Sequence, residues 1–417
     1  MTKIRQKIWV DGQIPQSGIE IPTYMRQYFN KSTNGSHGVL NYVGFHLTNS
    51  ELNIMLPKNS EWSNSVSVDV INILIDSLKD NRDSKSGDSE TVSGITTNDL
   101  FSVVEWLIQD FRSNGIFAIN QTQWNKRKGK INWETTIRKA TPFVQDNNLV
   151  LINLFRKKRI SELDEVSKIH AFVMQQIADQ FGILFHGFSF KSRLTPIDLN
   201  DTVKLKRVLN KTFTMTNIRR EKMLILNLLK YLDLIDSKQF ELSIVTMEFH
   251  VLFEKSFKFF IGDQEELHTP AAIPKARWSL ELPGREPIIA KNKQIPDALV
   301  IRHGQKCQYL DIYDSKYYDL TYYKNINQSS KIFNAPADWY SVGKQFFYEY
   351  SYNRLAISNK LEQGENYFVF PWPVGIKKML PAGHVDIIVG DGQSRHIQLL
   401  LVDPIELLRV FATRNVS

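Results

Sequence analysis

The sequence predicts a mixed α/β protein, α+β overall, on three observations. Apolar residues recur at helical spacing in several stretches between residues 68 and 260. After residue 298 the period changes from 3.6 to 2. Helix, hairpin, helix and further strands then follow one another to the C-terminus, the order expected of a mixed sheet flanked by helices.

The elements follow in order. In Val39–Lys58 two apolar runs flank a Thr-Asn-Ser turn, which predicts a hairpin. Val68–Leu78 reads as a short helix. Asp80–Asn98 is rich in Ser, Asp, Gly and Thr, and reads as a linker or as a long surface loop within one domain. Leu100, Val103, Val104, Leu107 and Phe111 lie on one face of a helix over Leu100–Arg112. Ser161 and Asp164 have capping-box spacing before a helix that runs to Phe181. On it His170 falls on the apolar side, as a core residue rather than a ligand. A leucine-rich helix spans Glu221–Asp236, and a further long helix covers about 242–260. Strands are expected at Ala298–Ile301 and Gln308–Lys316, joined by a turn at His303–Lys306. Asp338 can cap a helix to about Ile357. Tyr367–Phe370, His384–Val389 and Ile397–Val402 read as strands, and Pro404–Ala412 as a closing helix.

Composition narrows the functional classes. The chain has 417 residues, 42% of them hydrophobic, which is enough for genuine cores in two or three domains. Its 52 Lys+Arg exceed its 44 Asp+Glu by +8, a balance that favours a polyanionic partner. Trp124–Arg159 carries the same excess by itself, with ten Lys/Arg and two Asp/Glu. This stretch suits a phosphate backbone through Lys126, Arg127, Lys128, Lys130, Arg138 and Lys139, or is a solvated basic loop. Lys204–Lys222 has the same two readings. Trp133 reads as a core or interface residue. A single cysteine, Cys307, excludes an internal disulfide framework and a cysteine-based zinc site. There is no apolar run long enough for a membrane span and no signal-peptide core after MTKIRQKIWVDG, so a cytoplasmic protein is expected.

The chemistry is concentrated in Ile295–Tyr318, IPDALVIRHGQKCQYLDIYDSKYY. On a strand, positions i and i+2 face the same way, so Asp314 and Lys316 project together. A hairpin brings Asp297 towards Asp314. Two carboxylates beside an ammonium suit Mg²⁺, a hard cation that takes few protein oxygens and keeps its waters. Such a site fits phosphodiester hydrolysis, with Lys316 orienting or deprotonating the water or stabilising the charge of the transition state.

This segment resembles the PD-(D/E)XK nucleases, and the wider chain resembles the LlaJI family of restriction endonucleases, relatives of the McrC subunit of McrBC-type systems. The resemblance rests on GKINWETTIRKATPF, EVSKIHAFVMQQIADQF, FHVLFEKSFKFFIG, IPKARWSL, IPDALVI, YLDIYDSKYY and VGKQFFYEY, spread over roughly residues 125–350. It implies that Asp297 and Asp314 are metal ligands, Lys316 the catalytic lysine, and Glu254 a further ligand or base. It also implies that Gln345 sits near the site, accompanied by Tyr348 or Tyr350. Ser315 departs from the family's usual alanine, and its side chain is expected to point away from the metal with little effect. Glu134–Thr136 also departs, since the family usually has a basic residue there.

The resemblance fits a protein of two or three parts: an N-terminal α+β module for DNA recognition or partner docking (1–120), a basic, mostly helical middle (121–237), and a PD-(D/E)XK nuclease domain (238–417). It further implies a bacterial, Mg²⁺-dependent endonuclease acting on double-stranded DNA, with an McrB-like AAA+ GTPase or ATPase and a cognate DNA methyltransferase as partners. No GxxxxGK[ST] occurs in this chain. Three rival readings stand beside it: a stand-alone type II enzyme, an inactive DNA-binding adaptor, and the nuclease subunit of a transposition complex.

Overall fold

The computed structural model describes residues 5–15, 20–30, 38–48, 51–60, 65–83, 95–124, 129–146, 148–160, 165–194, 197, 201–237, 241–268, 277–278, 288–289, 295–318, 339–373, 379–388 and 394–414. The expected caps Ser161, Asp164 and Asp338 lie outside them, as do Lys126, Arg127 and Lys128.

In chain order the first elements are β1 (Arg5–Val10), β2 (Val43–Leu47), β3 (Glu51–Leu56), α1 (Val68–Asp83), β4 (Ile95–Thr97) and α2 (Asp99–Asn114). Next come β5 (Ile119–Trp124), β6 (Lys130–Ile131), α3 (Trp133–Lys139), β7 (Pro142–Gln145), β8 (Asn148–Leu151) and β9 (Phe155–Ile160). Three long helices follow: α4 (Glu165–Phe181), α5 (Thr202–Met215) and α6 (Arg219–Asp236). Then come β10 (Leu242–Thr246), α7 (Phe249–Ile261) and the two-residue strands β11 (Arg277–Trp278) and β12 (Ile288–Ile289). The chain closes with β13 (Ala298–His303), β14 (Gln308–Ser315), α8 (Trp339–Ser358), β15 (Glu362–Pro371), β16 (Leu380–Ile388), β17 (Ser394–Val402) and α9 (Pro404–Thr413). The fold is mixed α/β, as the sequence predicts.

The chain forms two compact units, one of them discontinuous in sequence. One is Thr97–Leu242 with Met1–Lys3, and the other joins Ile4–Thr96 to Ser243–Ser417. The physical reason lies in one sheet of order β1-β3-β2-β10-β4, in which strand β10 completes a sheet begun by the N-terminal hairpin. In the discontinuous unit, α1 packs on α9 and α7. Asn59 Nδ2 donates to Tyr318 O at 2.9 Å and Pro371 O at 3.0 Å, tying the N-terminal segment to the C-terminal one.

The second sheet of this unit has the order β13-β14-β15-β17-β16. β13 and β14 form an antiparallel hairpin, with Ala298 opposite Tyr313. β14, β15 and β17 run parallel, and β16 returns antiparallel at the edge. Phe249, Phe253 and Phe257 recur every fourth residue on α7 and are all buried.

In the contiguous unit, α2, α4, α5 and α6 pack together. Leu107, Val173, Ile177, Leu224, Leu228 and Tyr231 are fully buried in this unit. Its β-strands make a three-stranded sheet, β5-β9-β6, and a separate β7-β8 hairpin.

One expectation changes. The long helix over 242–260 is strand β10 followed by α7, because LSIVT is β-branched and pairs in a sheet. Within the basic middle stretch, residues 119–160 are mainly strand, and helix dominates from Glu165 to Asp236. Trp133, expected in a core or an interface, is 56% exposed and so lies at the surface. Among the described residues no helix is long and apolar enough to cross a membrane.

Candidate active site

The β13–β14 hairpin and α7 build the site. Asp297 stands one residue before β13, and continuing the hairpin register places it opposite Asp314 near the end of β14. Asp314 and Lys316 are both buried. Their side chains form an ion pair between Lys316 Nζ and Asp314 Oδ2. The ammonium also lies 5.3 Å from the centre of the Phe368 ring, on the neighbouring strand β15. The Lys316 N–H donates to Val369 O at 2.7 Å, so the chain stays paired past the end of β14.

Asp297 is held from the side. Its Oδ2 accepts the Ser315 N–H at 2.7 Å and the Ser315 hydroxyl at 2.8 Å. The carboxylate substitutes for a main-chain acceptor where β13 has not yet begun. Ser315 therefore touches Asp297, one of the expected ligands, through both its main chain and its hydroxyl. Strand alternation alone hides this, because it is Asp297 that reaches to Ser315 across the mouth of the hairpin.

The electrostatics join Glu254 to this pair. Burial pushes the Glu254 carboxyl up to about 7, and the charges of Asp297 and Asp314 push the same way. Burial also raises Asp297, with Asp314 adding to the effect. Burial alone would lower the Lys316 ammonium, but Asp314 outweighs it and holds Lys316 above the usual lysine range. Lys258, one turn beyond Glu254 on α7, opposes the rise of both Glu254 and Asp297. It is a second cation acting on these carboxyls, beside Lys316.

Gln345 and Tyr348 lie on α8. Gln345 is fully buried, and its Nε2 donates to Asn366 Oδ1 at 2.6 Å and Tyr367 O at 3.3 Å. It therefore bonds β15, and it makes no hydrogen bond to Asp297, Asp314, Glu254 or Lys316. Tyr348 is fully buried and donates from its hydroxyl to Ile295 O at 2.7 Å, two residues before Asp297. Tyr350 is 76% exposed, so Tyr348 is the tyrosine associated with the site.

The donor set can be tested against a metal. Among the described residues, no group of three or more His, Cys, Asp or Glu side chains could hold a metal ion. Mg²⁺ asks for less: one or two carboxylates, with water and substrate oxygens completing its shell. Asp297 and Asp314 supply two, and the raised carboxyls of Asp297 and Glu254 mark negative charge that a cation would relieve. The residues fit a hard divalent ion with few protein ligands.

The DNA-contact candidates that the structure describes lie in the contiguous unit. Lys130 opens β6, and Arg138 and Lys139 end α3; all three are exposed. Cys307 is a free thiol in the β13–β14 turn, where its carbonyl accepts the Gly304 N–H at 2.9 Å.

Solved structures similar to this chain include two McrBC-type assemblies. One is the refined half-complex from the tetradecameric assembly of Thermococcus gammatolerans McrB AAA+ hexamers with bound McrC. It is 11% identical with a TM-score of 0.34, covering 99% of this chain and 100% of that one. The other is the cryo-EM structure of the Thermococcus gammatolerans McrBC complex, 12% identical with a TM-score of 0.21, covering 55% of this chain and 80% of that one. No curated protein matches the chain. The model of the family described as LlaJI restriction endonuclease matches residues 42–381. That match takes in most of the 417 residues, including Glu254, Asp297, Asp314 and Lys316, and the chain therefore belongs to the LlaJI restriction endonuclease family.

Proposed function

We propose that this chain is the DNA-cleaving subunit of a bacterial restriction system, a Mg²⁺-dependent endonuclease of the PD-(D/E)XK type. The observation that carries this reading is the meeting of Asp297, Asp314 and Lys316 at one hairpin inside a restriction-endonuclease family match. Asp297 and Asp314 would hold the metal. Bound Mg²⁺ would supply Lewis-acid polarisation of the scissile phosphate and a lowered pKa for its water. Lys316, held in its charged form by Asp314, stabilises negative charge on the phosphate rather than acting as a base. Glu254, with its carboxyl near 7, is poised to accept a proton from the attacking water. Gln345 and Tyr348 fix β15 and the segment before Asp297 behind these groups. Lys130, Arg138 and Lys139, together with Lys126, Arg127 and Lys128, are the proposed contacts to the DNA backbone.

An McrB-like AAA+ NTPase is the proposed motor partner, supported by the McrC-like sequence blocks between residues 125 and 350. A cognate methyltransferase would mark the host's own sites. Plasmid cleavage with Mg²⁺ tests the reading, comparing the native chain with Asp314→Ala, each with and without the candidate NTPase. Cleavage that vanishes in the variant supports it, and dependence on the NTPase supports the motor. Equal cleavage by both, or none by the native chain under any condition, rejects it.

A further inference from the structure

We propose that Ser315 is a positioning residue for the metal site, acting through Asp297; this rests on the nuclease reading above. Its main-chain N–H at 2.7 Å and its hydroxyl at 2.8 Å both donate to the same oxygen, Oδ2 of Asp297. Two donors on one oxygen fix the rotation of the carboxylate. Among the described residues, Oδ1 accepts no hydrogen bond, so it is the oxygen left for a cation. Ser315 is 7% exposed and Asp297 half-buried, so water competes poorly for these bonds.

The main-chain donor survives any substitution at position 315, but the hydroxyl does not. The chain therefore divides one task between two donors. An alanine here would keep the carboxylate near its place and lose the second restraint. Groups that orient metal ligands from behind typically change metal affinity by about 10- to 100-fold when removed. With the N–H still in place, the lower end of that range applies. The hydroxyl acts on metal affinity more than on the chemical step, because it touches the ligand and not the reacting atoms.

The test is divalent-ion binding to the full chain, with Mn²⁺ and Mg²⁺ titrated by calorimetry, alongside cleavage as a function of Mg²⁺. Ser315→Ala should weaken binding about tenfold and raise the Mg²⁺ needed for half-maximal cleavage by a similar factor. The rate at saturating Mg²⁺ should stay within about twofold to threefold of the native value. Ser315→Thr, which keeps the hydroxyl, should bind like the native chain. Ser315→Cys, similar in shape with a weak donor, gives the readout again if alanine loosens the strand, and should behave like alanine. Native affinity in both Ser315→Ala and Ser315→Cys overturns the proposal. A fall in rate at saturating metal, with affinity unchanged, overturns it as well. Asp314→Ala separates the two levels. If it abolishes binding and cleavage while Ser315→Ala changes neither, the nuclease reading stands and the role of Ser315 falls. If Asp314→Ala cuts like the native chain, the underlying reading fails.

Discussion

His170 is fully buried on α4, and its Nδ1 accepts the Phe117 N–H at 3.0 Å. Burial depresses the imidazole from 6.5 to about 4. The folded chain thus refuses a proton that the unfolded chain takes up below pH about 6.5. Stability from this residue is present above that pH and is lost as pH falls towards 4, by up to about 3 kcal/mol. Burial also depresses His46 to about 4, with Tyr28 OH 2.9 Å from its Nδ1, so the discontinuous unit weakens over the same window. Urea unfolding at pH 7 and pH 4.5 measures this. His170→Gln should flatten the pH dependence of the contiguous unit, and an unchanged slope would show that other groups carry it. At the candidate active site, Glu254→Gln should leave the fold intact and slow the proposed cleavage by about 10²-fold or more, the usual range for a lost proton acceptor. A rate within threefold of native would place Glu254 outside the chemistry.

At the scale of elements, backbone geometry decides where substitutions hurt. Gly44 in β2 has φ of +141°, and a Cβ there would sit 2.1 Å from Ile244 O in the adjoining strand β10. Gly44→Ala should therefore part the two strands and cost about 2–4 kcal/mol, as strain and lost pairing combine. The melting temperature of the variant reports it directly. The start of α2 is a milder case. Asn98 accepts the Phe101 N–H at 3.1 Å as its cap, and Asn98→Ala should cost about 1 kcal/mol. The hairpin that carries the carboxylates is better protected. Asp311 on β14, 1% exposed, makes a two-pronged ion pair with Arg302 and also accepts the Glu365 N–H at 2.8 Å.

The whole chain is divided in a way that its linear order does not suggest. Residues 97–242 form one unit, and in the sequence they interrupt the residues of the other. The β1-β3-β2-β10-β4 sheet and the packing of α1 on α7 and α9 require both halves. A fragment of residues 238–417 should therefore fail to fold, since it leaves β10 without its strand partners and exposes the face of α9 that α1 covers. Residues 97–242, with their own helical core, should fold alone. Circular dichroism and thermal melts of the two fragments distinguish these outcomes. A cooperative melt of 238–417 would show that the N-terminal segment is dispensable.

Much of the fold was legible in the chain. Helices α1, α2, α4, α6 and α9 follow apolar periodicity, and the β13–β14 hairpin follows its alternation. The strand β10 was not legible, because a short β-branched run beside a helix reads as part of that helix until a sheet captures it. β1 was missed as well, since its pairing partner β3 lies more than forty residues away. At the site, residue types and the i, i+2 rule brought Asp314 and Lys316 together, and hairpin pairing brought Asp297 to them. The bond from Ser315 to Asp297, the choice of Tyr348 over Tyr350, and the burial of Gln345 against β15 had no such signal. The sequence by itself determined the element types and the chemical identity of the candidate site, because local periodicity and side-chain chemistry are properties of neighbouring residues. Only the tertiary structure decided which segments share a unit and which donors restrain which carboxylate, because sheet pairing and burial join residues that the chain keeps far apart.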